Sequence, residues 1–185
     1  FQQLHDGHVA ARRTPMVKEG QVSERAIRTD RHTLFTIIAS YPTPTDIVAS
    51  VKEEAARFKR WVDLTFDWVR EQYGDQLKVA FAHIDEQYPH LHFWLLADHP
   101  NADASQLHPG KLAKKEIEAR LKAEGTPPRE AVKAGNRALK DTMRGWIDGY
   151  HQSVGAPLGM RRDGPKRRRL SRSQYMAEQA MLDHH

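Results

Sequence analysis

The sequence predicts an α+β fold in which an antiparallel β-sheet is flanked by helices. Leu77 to Ile84 and His90 to Ala97 are largely apolar runs joined by a short polar segment, which is typical of a β-hairpin. Residues 45–73 and 130–154 carry apolar residues at helical spacing. Adjacent antiparallel strands combined with separate helices are the pattern of the α+β class.

Local patterns predict the elements before the hairpin. Residues 1–21 show little periodicity and predict an irregular N-terminal arm. Val22 to Thr29 suits a short helix capped by Ser23. His32 to Ser40 is rich in β-branched and aromatic residues, which predicts a central strand. Thr45 to Tyr73 predicts one long amphipathic helix, whose aromatic residues are expected in the core.

The elements after the hairpin are predicted to be helical. Lys111 to Ala123 reads as a polar helix, Glu130 to Val154 as a second helix, and Ser171 to Leu182 as a last short one. Residues 104–185 therefore form a mostly helical, basic C-terminal portion. A length of 185 residues suits a single domain over residues 1–185.

Composition limits the chemistry that is available. The chain has no cysteine, so it has neither a disulfide nor a thiolate metal site, and any metal must be bound by histidine and carboxylate. No run approaches the roughly twenty apolar residues of a membrane span, and no signal peptide is visible. These features predict a cytosolic protein.

Positive charge is concentrated near the C-terminus. Residues 161–172 contain seven basic residues and one acidic residue, whereas the whole chain has a net charge of only +5. A basic cluster on a nearly neutral body is typical of a protein that binds a polyanion, most often nucleic acid. The alternative is a solvated loop or a targeting signal.

A metal site is predicted from the hairpin. His90 and His92 project from the same face of a strand because side chains alternate with a period of two. The return of the chain brings His83 beside them. Three neutral imidazoles leave coordination positions open, as a catalytic metal requires. Asp85 and Glu86 could orient a ligand or carry a proton. The alternative is a structural histidine next to two surface histidines.

The same residues resemble a known family. The stretch HIDEQYPHLHF at residues 83–93 resembles the metal motif of MobV-type plasmid mobilisation relaxases, also called plasmid recombination enzymes, in the His-hydrophobe-His (HUH) endonuclease superfamily. Two further matches follow the family order: VSERAIRTD at 22–30, and LGMRRDGP at 158–165 leading to RLSR at 169–172. The resemblance covers about residues 22–178 and implies an HUH-endonuclease-like central sheet.

The resemblance implies a metal-dependent DNA relaxase. Such an enzyme nicks one strand at a plasmid transfer origin by transesterification, forms a covalent 5′-phosphate adduct and reseals the strand during conjugative mobilisation. It implies Mn²⁺ or Mg²⁺ as cofactor, with Zn²⁺ as a further option. His83, His90 and His92 match the family's metal ligands, and Glu86 matches a glutamate that supports the site or moves a proton.

The resemblance also implies a nucleophile and a DNA surface. The family is thought to use a histidine near the N-terminus, for which this chain offers His5 and His8. Tyrosines remain the alternative, and Tyr88 is the nearest to the metal motif in sequence. The residues expected to bind DNA phosphates are Arg12, Arg13, Arg25, Arg28, Arg161, Arg162, Lys166, Arg167, Arg168, Arg169 and Arg172.

The expected partner is single-stranded or hairpin DNA at a transfer origin. No small-molecule substrate and no membrane contact are expected for this segment. A monomeric core in the bacterial cytoplasm is expected, within a full-length protein that could dimerise. The alternatives are a rolling-circle replication initiator, a single-strand transposase, or a DNA-binding derivative that does not cleave. A three-histidine zinc hydrolase is a more distant alternative.

Overall fold

The computed structural model of the chain describes residues 1–163 and 170–182 and confirms the α+β class. The strands and main helices, in chain order, are α1 (Gln2–Ala10), β1 (Arg13–Lys18), β2 (Gln21–Ala26), β3 (Phe35–Ser40), α2 (Thr45–Ser50), α3 (Lys52–Tyr73), β4 (Leu77–His83), β5 (His90–Leu95), α4 (Pro109–Ala123), α5 (Pro128–Tyr150) and α6 (Arg172–Leu182). Short helical turns occupy Gly74–Gln76, Ala104–Leu107, His151–Gly155 and Ala156–Leu158. None of the helices in the described ranges combines the length and hydrophobicity that a membrane crossing requires.

The main sheet has three antiparallel strands in the order β3-β5-β4. The predicted hairpin of β4 and β5 is confirmed. The strand predicted within residues 32–40 is confirmed as β3, Phe35–Ser40. Its predicted central position was wrong, because β5 rather than β3 lies in the middle of the described sheet. Sheet position depends on which strands pair across the chain, and local composition does not encode that pairing.

The two faces of this sheet have different neighbours. On one face, Ile37, Leu91, Phe93 and Leu95 are buried in the core. Alternation along the strands places His92, with its register partners Ile38 and Phe81, on the opposite face, which we call the histidine face. Ile38 on this face is 59% exposed. The core therefore lies on one side of the sheet only, and the other side carries the histidines.

Helix α3 covers the core face. Trp61, Thr65, Trp68 and Tyr73 are buried along one side of the helix, as the helical spacing predicted. The predicted single helix is instead two helices, because Val51 adopts an extended conformation with φ −109° and ψ 114°. Valine is β-branched and therefore a weak helix former. Its extended backbone at residue 51 ends α2 and lets α3 begin separately.

The N-terminal segment differs from both predictions made for it. Gln2–Ala10 is helical and Arg13–Lys18 is a strand, so residues 1–21 are not an irregular arm. The stretch predicted as a helix over residues 22–29 contains β2, which pairs with β1. Glu19 and Gly20 form the two-residue turn with φ values of 52° and 80°, as a type I′ hairpin requires. The pairing with β1 overrides the helical preference of the local sequence.

Helices α4 and α5 form an antiparallel pair after the sheet. Gly110 permits the close approach at the start of α4, since a Cβ there would lie 2.8 Å from Met143 Cγ. At the C-terminal end of α5, the Tyr150 hydroxyl accepts a hydrogen bond from Trp61 Nε1 at 3.0 Å and lies 3.1 Å from Thr65 Oγ1. The predicted helical C-terminal portion is thus anchored on α3 through the end of α5.

Candidate metal centre and nucleic-acid surface

The β4–β5 hairpin brings three histidines together. His83 and His90 are direct register partners at the loop end of the hairpin, and His92 follows His90 on the same face. The connecting loop is held to the neighbouring chain, because the Tyr41 amide donates to Pro89 O at 2.8 Å and the Thr45 amide donates to Gln87 O at 2.9 Å. The loop and the strands together therefore position the three rings.

The three rings form a nearly equilateral triangle. Their centroids are 5.1 Å apart for His83 and His90, 4.7 Å for His83 and His92, and 4.9 Å for His90 and His92. One nitrogen from each ring lies within 4.8 Å of the other two. Three nitrogens at these separations can converge on one ion through small rotations of the side chains.

Hydrogen bonding supports the role of these nitrogens as ligands. His90 Nδ1 lies 3.1 Å from the Tyr88 carbonyl oxygen, which can only accept, so Nδ1 carries the proton and Nε2 is left for a metal. His92 Nε2 is buried and has no hydrogen-bond partner among the described residues. A buried ring nitrogen without a partner is costly unless something else, such as an ion, satisfies it. The residues present thus fit a metal.

The surroundings of His92 favour its neutral, ligating form. Burial, followed by the charges that His83 and His90 would carry when protonated, lowers the pKa of His92. The Phe81 ring is stacked on the imidazole, with centroids 5.0 Å apart and planes within 3° of parallel. Trp94 packs edge-on against Phe81 at 5.0 Å, and Phe1 contacts Trp94 at 4.6 Å. An aromatic row therefore fixes the orientation of this ring.

Glu86 lies in the loop of the hairpin, close to the three histidines. Its side chain is exposed, and its backbone carbonyl accepts a hydrogen bond from Thr45 Oγ1 at 2.5 Å. The carboxylate acts electrostatically on His92, where it favours the protonated form. The position is compatible with proton transfer in a bound substrate, although in this structure the carboxylate makes no hydrogen bond to a described residue.

The two N-terminal histidines lie on α1, at the end of the sheet away from the triangle. His5 Nδ1 contacts Asp6 Oδ1 at 3.2 Å, and its Nε2 lies 2.9 Å from Thr33 Oγ1. His8 Nε2 donates to the Ala97 carbonyl at 3.0 Å. Ala97 follows His92 by five residues, which is roughly 16 Å of strand. The structure therefore brings the three ligands together but does not place His5 or His8 beside them.

The tyrosines differ in accessibility. Burial, with the neighbouring Glu54, raises the pKa of Tyr41 to about 12, and its hydroxyl donates to Glu54 Oε1 at 2.5 Å. Burial also raises the pKa of Tyr150. Tyr88 is half-buried in the hairpin loop, directly before the buried Pro89 and two residues before His90. Tyr88 is thus the tyrosine whose backbone lies nearest to the histidines.

Several of the arginines predicted to bind DNA already have partners within the protein. Arg12 donates to Asp98 Oδ1 at 2.7 Å and to two backbone carbonyls, and Arg13 donates to the Ala10 and Arg12 carbonyls. Arg28 binds the Asp30 carboxylate through two nitrogens, at 2.9 and 2.7 Å. Arg162 donates to Asp148 Oδ1 at 2.5 Å and to Asp163 Oδ1 at 3.2 Å.

The other predicted arginines are more available. Arg25, Arg161 and Arg172 are exposed and have no carboxylate partner among the described residues. Lys166, Arg167, Arg168 and Arg169 lie outside the described residues, so their roles stay predictions.

A basic cleft lies at the end of β3 that is distant from the histidines. Its volume is about 610 Å³, and it is lined by residues that include Arg25, Arg28, Arg31, His108 and Lys111. Arg31 pairs with Asp103 at 3.2 Å. Burial and the nearby Lys111 ammonium lower the pKa of His108. The sequence did not predict Arg31, His108 or Lys111 as site residues, because only the fold brings them close to Arg25.

These features define the class of the protein, an α+β protein with a β-hairpin whose three histidines could bind a metal ion. A family profile described as plasmid recombination enzyme matches residues 8–141. Because this match covers more than half of the 185 residues, the chain belongs to the plasmid recombination enzyme family. No curated protein and no solved structure gives a significant match. The family implies a relaxase of plasmid recombination or mobilisation, with DNA as its substrate.

Proposed function

We propose that the chain is a metal-dependent relaxase that nicks one strand at a plasmid transfer origin and later reseals it. One observation carries this proposal. His83, His90 and His92 converge on one face of a hairpin in a member of the plasmid recombination enzyme family. A three-histidine group with open coordination positions suits phosphoryl transfer better than structural metal binding.

The proposed ion is Mn²⁺, bound by the three imidazoles. When bound, a divalent ion polarises the scissile phosphate and offsets the charge that develops in the transition state. Imidazole ligands favour Mn²⁺ or Zn²⁺ over Mg²⁺, because Mg²⁺ prefers oxygen ligands. His90 is preset for this role by its Nδ1 hydrogen bond to the Tyr88 carbonyl.

The proposed reaction is a transesterification. A side-chain nucleophile bonds to phosphorus while the bond between phosphorus and the 3′ oxygen breaks, which leaves a 5′-phosphate adduct on the protein and a 3′ hydroxyl. Attack by that hydroxyl on the adduct reverses the step and reseals the strand. Glu86, exposed in the hairpin loop, is our candidate for giving the leaving 3′ oxygen its proton and for taking that proton back when the 3′ hydroxyl attacks during resealing.

His5 is our first candidate nucleophile, with His8 and Tyr88 as the others to test. A carboxylate on Nδ1 holds the imidazole in the tautomer whose unprotonated Nε2 can attack, and Asp6 has this position beside His5. In this structure the same Nε2 accepts a hydrogen bond from the Thr33 hydroxyl. His8 Nε2 is instead used by the Ala97 carbonyl. Since His5 contacts Thr33 at the other end of the sheet, its use in cleavage requires α1 to move toward the histidines.

The proposed DNA path includes the basic cleft. Arg25 has no carboxylate partner among the described residues, and Lys111 lines the same cleft. These groups suit phosphate binding rather than reading of bases. Strand β3 runs from Phe35 at the cleft to Ser40 at the histidine end, a distance of roughly 16 Å. About two or three nucleotides of extended single strand would span that distance.

The experiment is a cleavage assay with end-labelled single-stranded oligonucleotides tiled across the DNA on both sides of the coding sequence. Each oligonucleotide is incubated with Mn²⁺ and resolved on a denaturing gel. The wild type is compared with His90→Ala, His5→Ala, His8→Ala and Tyr88→Phe, and with Lys122→Gln as a surface control outside the cleft. We expect a slow-migrating protein adduct with one oligonucleotide, its loss in His90→Ala, and its retention in the control.

The outcomes separate the alternatives. Loss of the adduct in one of the three nucleophile variants, with metal binding retained, identifies the nucleophile. Metal-dependent hydrolysis without an adduct contradicts the transesterification. DNA binding without cleavage, under all metals tested, identifies a binding derivative and refutes the proposal. Cleavage at a replication origin or an element end, rather than a transfer origin, indicates the initiator or transposase alternative.

A further inference from the structure

Helix α5 carries a row of cations on one side. Arg129, Lys133, Arg137, Lys140 and Arg144 are separated by four, four, three and four residues. At 100° per residue these positions fall within an arc of about 80°, and at 1.5 Å per residue the row is about 22 Å long. All five side chains are exposed. We call this row the α5 stripe.

The stripe faces away from the body of the protein because the opposite side of α5 is packed. Ala131 and Gly135 are buried, and a Cβ at residue 135 would lie 2.7 Å from Glu118 Cγ of α4. Further along the same side, Trp146 packs edge-on against Trp68 at 4.7 Å. The helix cannot rotate without breaking these contacts, so the cations are held toward solvent.

The charge on this surface is not balanced. The stripe is interrupted by one carboxylate, Asp141, which lies 3.7 Å from Arg137 Nε and 3.4 Å from Arg144 Nη1. Within residues 1–163 and 170–182, the other three members of the stripe have no carboxylate partner. Helix α3, of nearly equal length, carries five basic and five acidic residues, whereas the whole of α5 carries five basic and three acidic residues. Of the three, Asp148 pairs with Arg162, so α5 has an excess of cations that α3 lacks.

The stripe begins beside the sheet that carries the histidines. Trp146 and Ile147, just after Arg144, line a cavity of about 300 Å³ together with Ile37 and Ile38 of β3. Ile38 is the register partner of His92. The row of cations thus starts beside β3, on the core side of the sheet, and extends away from the sheet with the helix.

We infer that the α5 stripe binds the phosphate backbone of double-stranded DNA that flanks the strand held at the histidines. This inference rests on the proposed function, because it assumes that the histidine face acts on DNA. A rigid row of cations complements the regular phosphates of a duplex. Residues 128–144, which contain the whole stripe, include no aromatic side chain, whereas proteins that grip single strands commonly stack bases on aromatic rings. Contact with phosphates alone predicts binding without sequence preference.

The test compares two triple variants that remove the same charge. The stripe variant is Arg129→Gln/Lys133→Gln/Lys140→Gln, which leaves the pairs with Asp141 intact. The control is Lys52→Gln/Lys59→Gln/Arg60→Gln on α3, three exposed cations that also have no carboxylate partner in the described ranges. Both sets lie on helix surfaces, where glutamine is well tolerated. Circular dichroism melting checks that both variants fold as the wild type does.

Binding is measured by fluorescence anisotropy with a labelled 30-base-pair duplex of arbitrary sequence and with its single strand, between 50 and 200 mM salt. Three lost phosphate contacts reduce the salt slope of log affinity by about 2.7, so the wild type should lose about fortyfold more duplex affinity over this range than the stripe variant. The control should keep the wild-type slope, and single-strand affinity should change little.

Equal slopes for the stripe variant and the control would overturn the inference, as would an equal loss for duplex and single strand. This readout does not depend on cleavage. If the wild type binds the duplex through the stripe but forms no adduct with any oligonucleotide, the proposed nicking fails while the stripe stands. If the adduct forms and the slopes are equal, the nicking stands and the stripe fails.

Discussion

Removal of one imidazole from the triangle is the most direct test of the metal centre. His92 is the informative position, because its Nε2 is buried without a partner among the described residues and its ring is held by Phe81. Glutamine is similar in length and keeps a polar group at the site, so His92→Gln should remove the ligand with little damage to the fold. His32→Gln is the matched control, since His32 is exposed and lies outside the triangle.

The expected size follows from linkage between binding and folding. An ion that binds only the folded state adds about 2.7 kcal/mol to stability at a concentration of one hundred times Kd. For a chain of this size, each kcal/mol shifts Tm by about 2–4 °C, so Mn²⁺ should raise the wild-type Tm by about 5–11 °C. If loss of one ligand weakens binding at least ~100-fold, the same concentration adds at most ~0.4 kcal/mol, a shift of about 1–2 °C.

The assay is differential scanning calorimetry after chelation, with Mn²⁺ returned in steps, supported by isothermal titration calorimetry. His92→Gln should lose most of the metal-dependent shift in Tm while its metal-free Tm stays near that of the wild type. A full shift in His92→Gln would refute the assignment of this ligand. A full loss in the control would show that the ion binds elsewhere.

Three further perturbations have defined outcomes. Tyr41→Phe removes the hydrogen bond to Glu54 from a buried hydroxyl and should cost about 1–2 kcal/mol in urea unfolding; a change below 0.5 kcal/mol would contradict this, as a rough threshold. The Tyr41 and Thr43 hydroxyls lower the pKa of Glu54 below its ordinary 4.5. The stability that these hydrogen bonds add is therefore present above pH 4.5 and is lost as pH falls through the pKa of Glu54 in the folded state. The free energy of unfolding, measured between pH 5 and 2.5, should fall more steeply for the wild type than for Tyr41→Phe. Phe81→Ala removes the ring stacked on His92 and should weaken Mn²⁺ binding by about tenfold in calorimetric titration, and an unchanged Kd would show that the stacking does not orient the ligand.

The histidine hairpin was readable from the sequence because every interaction that builds it is local. His90 and His92 share a face through the period of a strand, and a six-residue loop returns the chain so that His83 pairs with His90. The α3 core residues were readable for the same reason, since helical periodicity assigns a buried side to Trp61 and Trp68.

The first 29 residues were not readable in the same way. The predicted helix at residues 22–29 has a good capping residue in Ser23, but that residue pairs with Met16 across a hairpin. The competing strand is separated from it by a turn of Glu19 and Gly20, a weak hairpin signal by itself. Pairing between segments decided the structure where the local preference was slight.

The sequence by itself determined the fold class, the hairpin and the three-histidine group, because short-range periodicity and chain reversal contain all the information these features need. Only the tertiary structure decided what surrounds them. It placed His5 at the far end of the sheet, gathered Arg31, His108 and Lys111 around Arg25, and turned the cations of α5 outward. Those arrangements depend on packing between elements far apart in the chain, and the free energy of such packing is not encoded in any single segment.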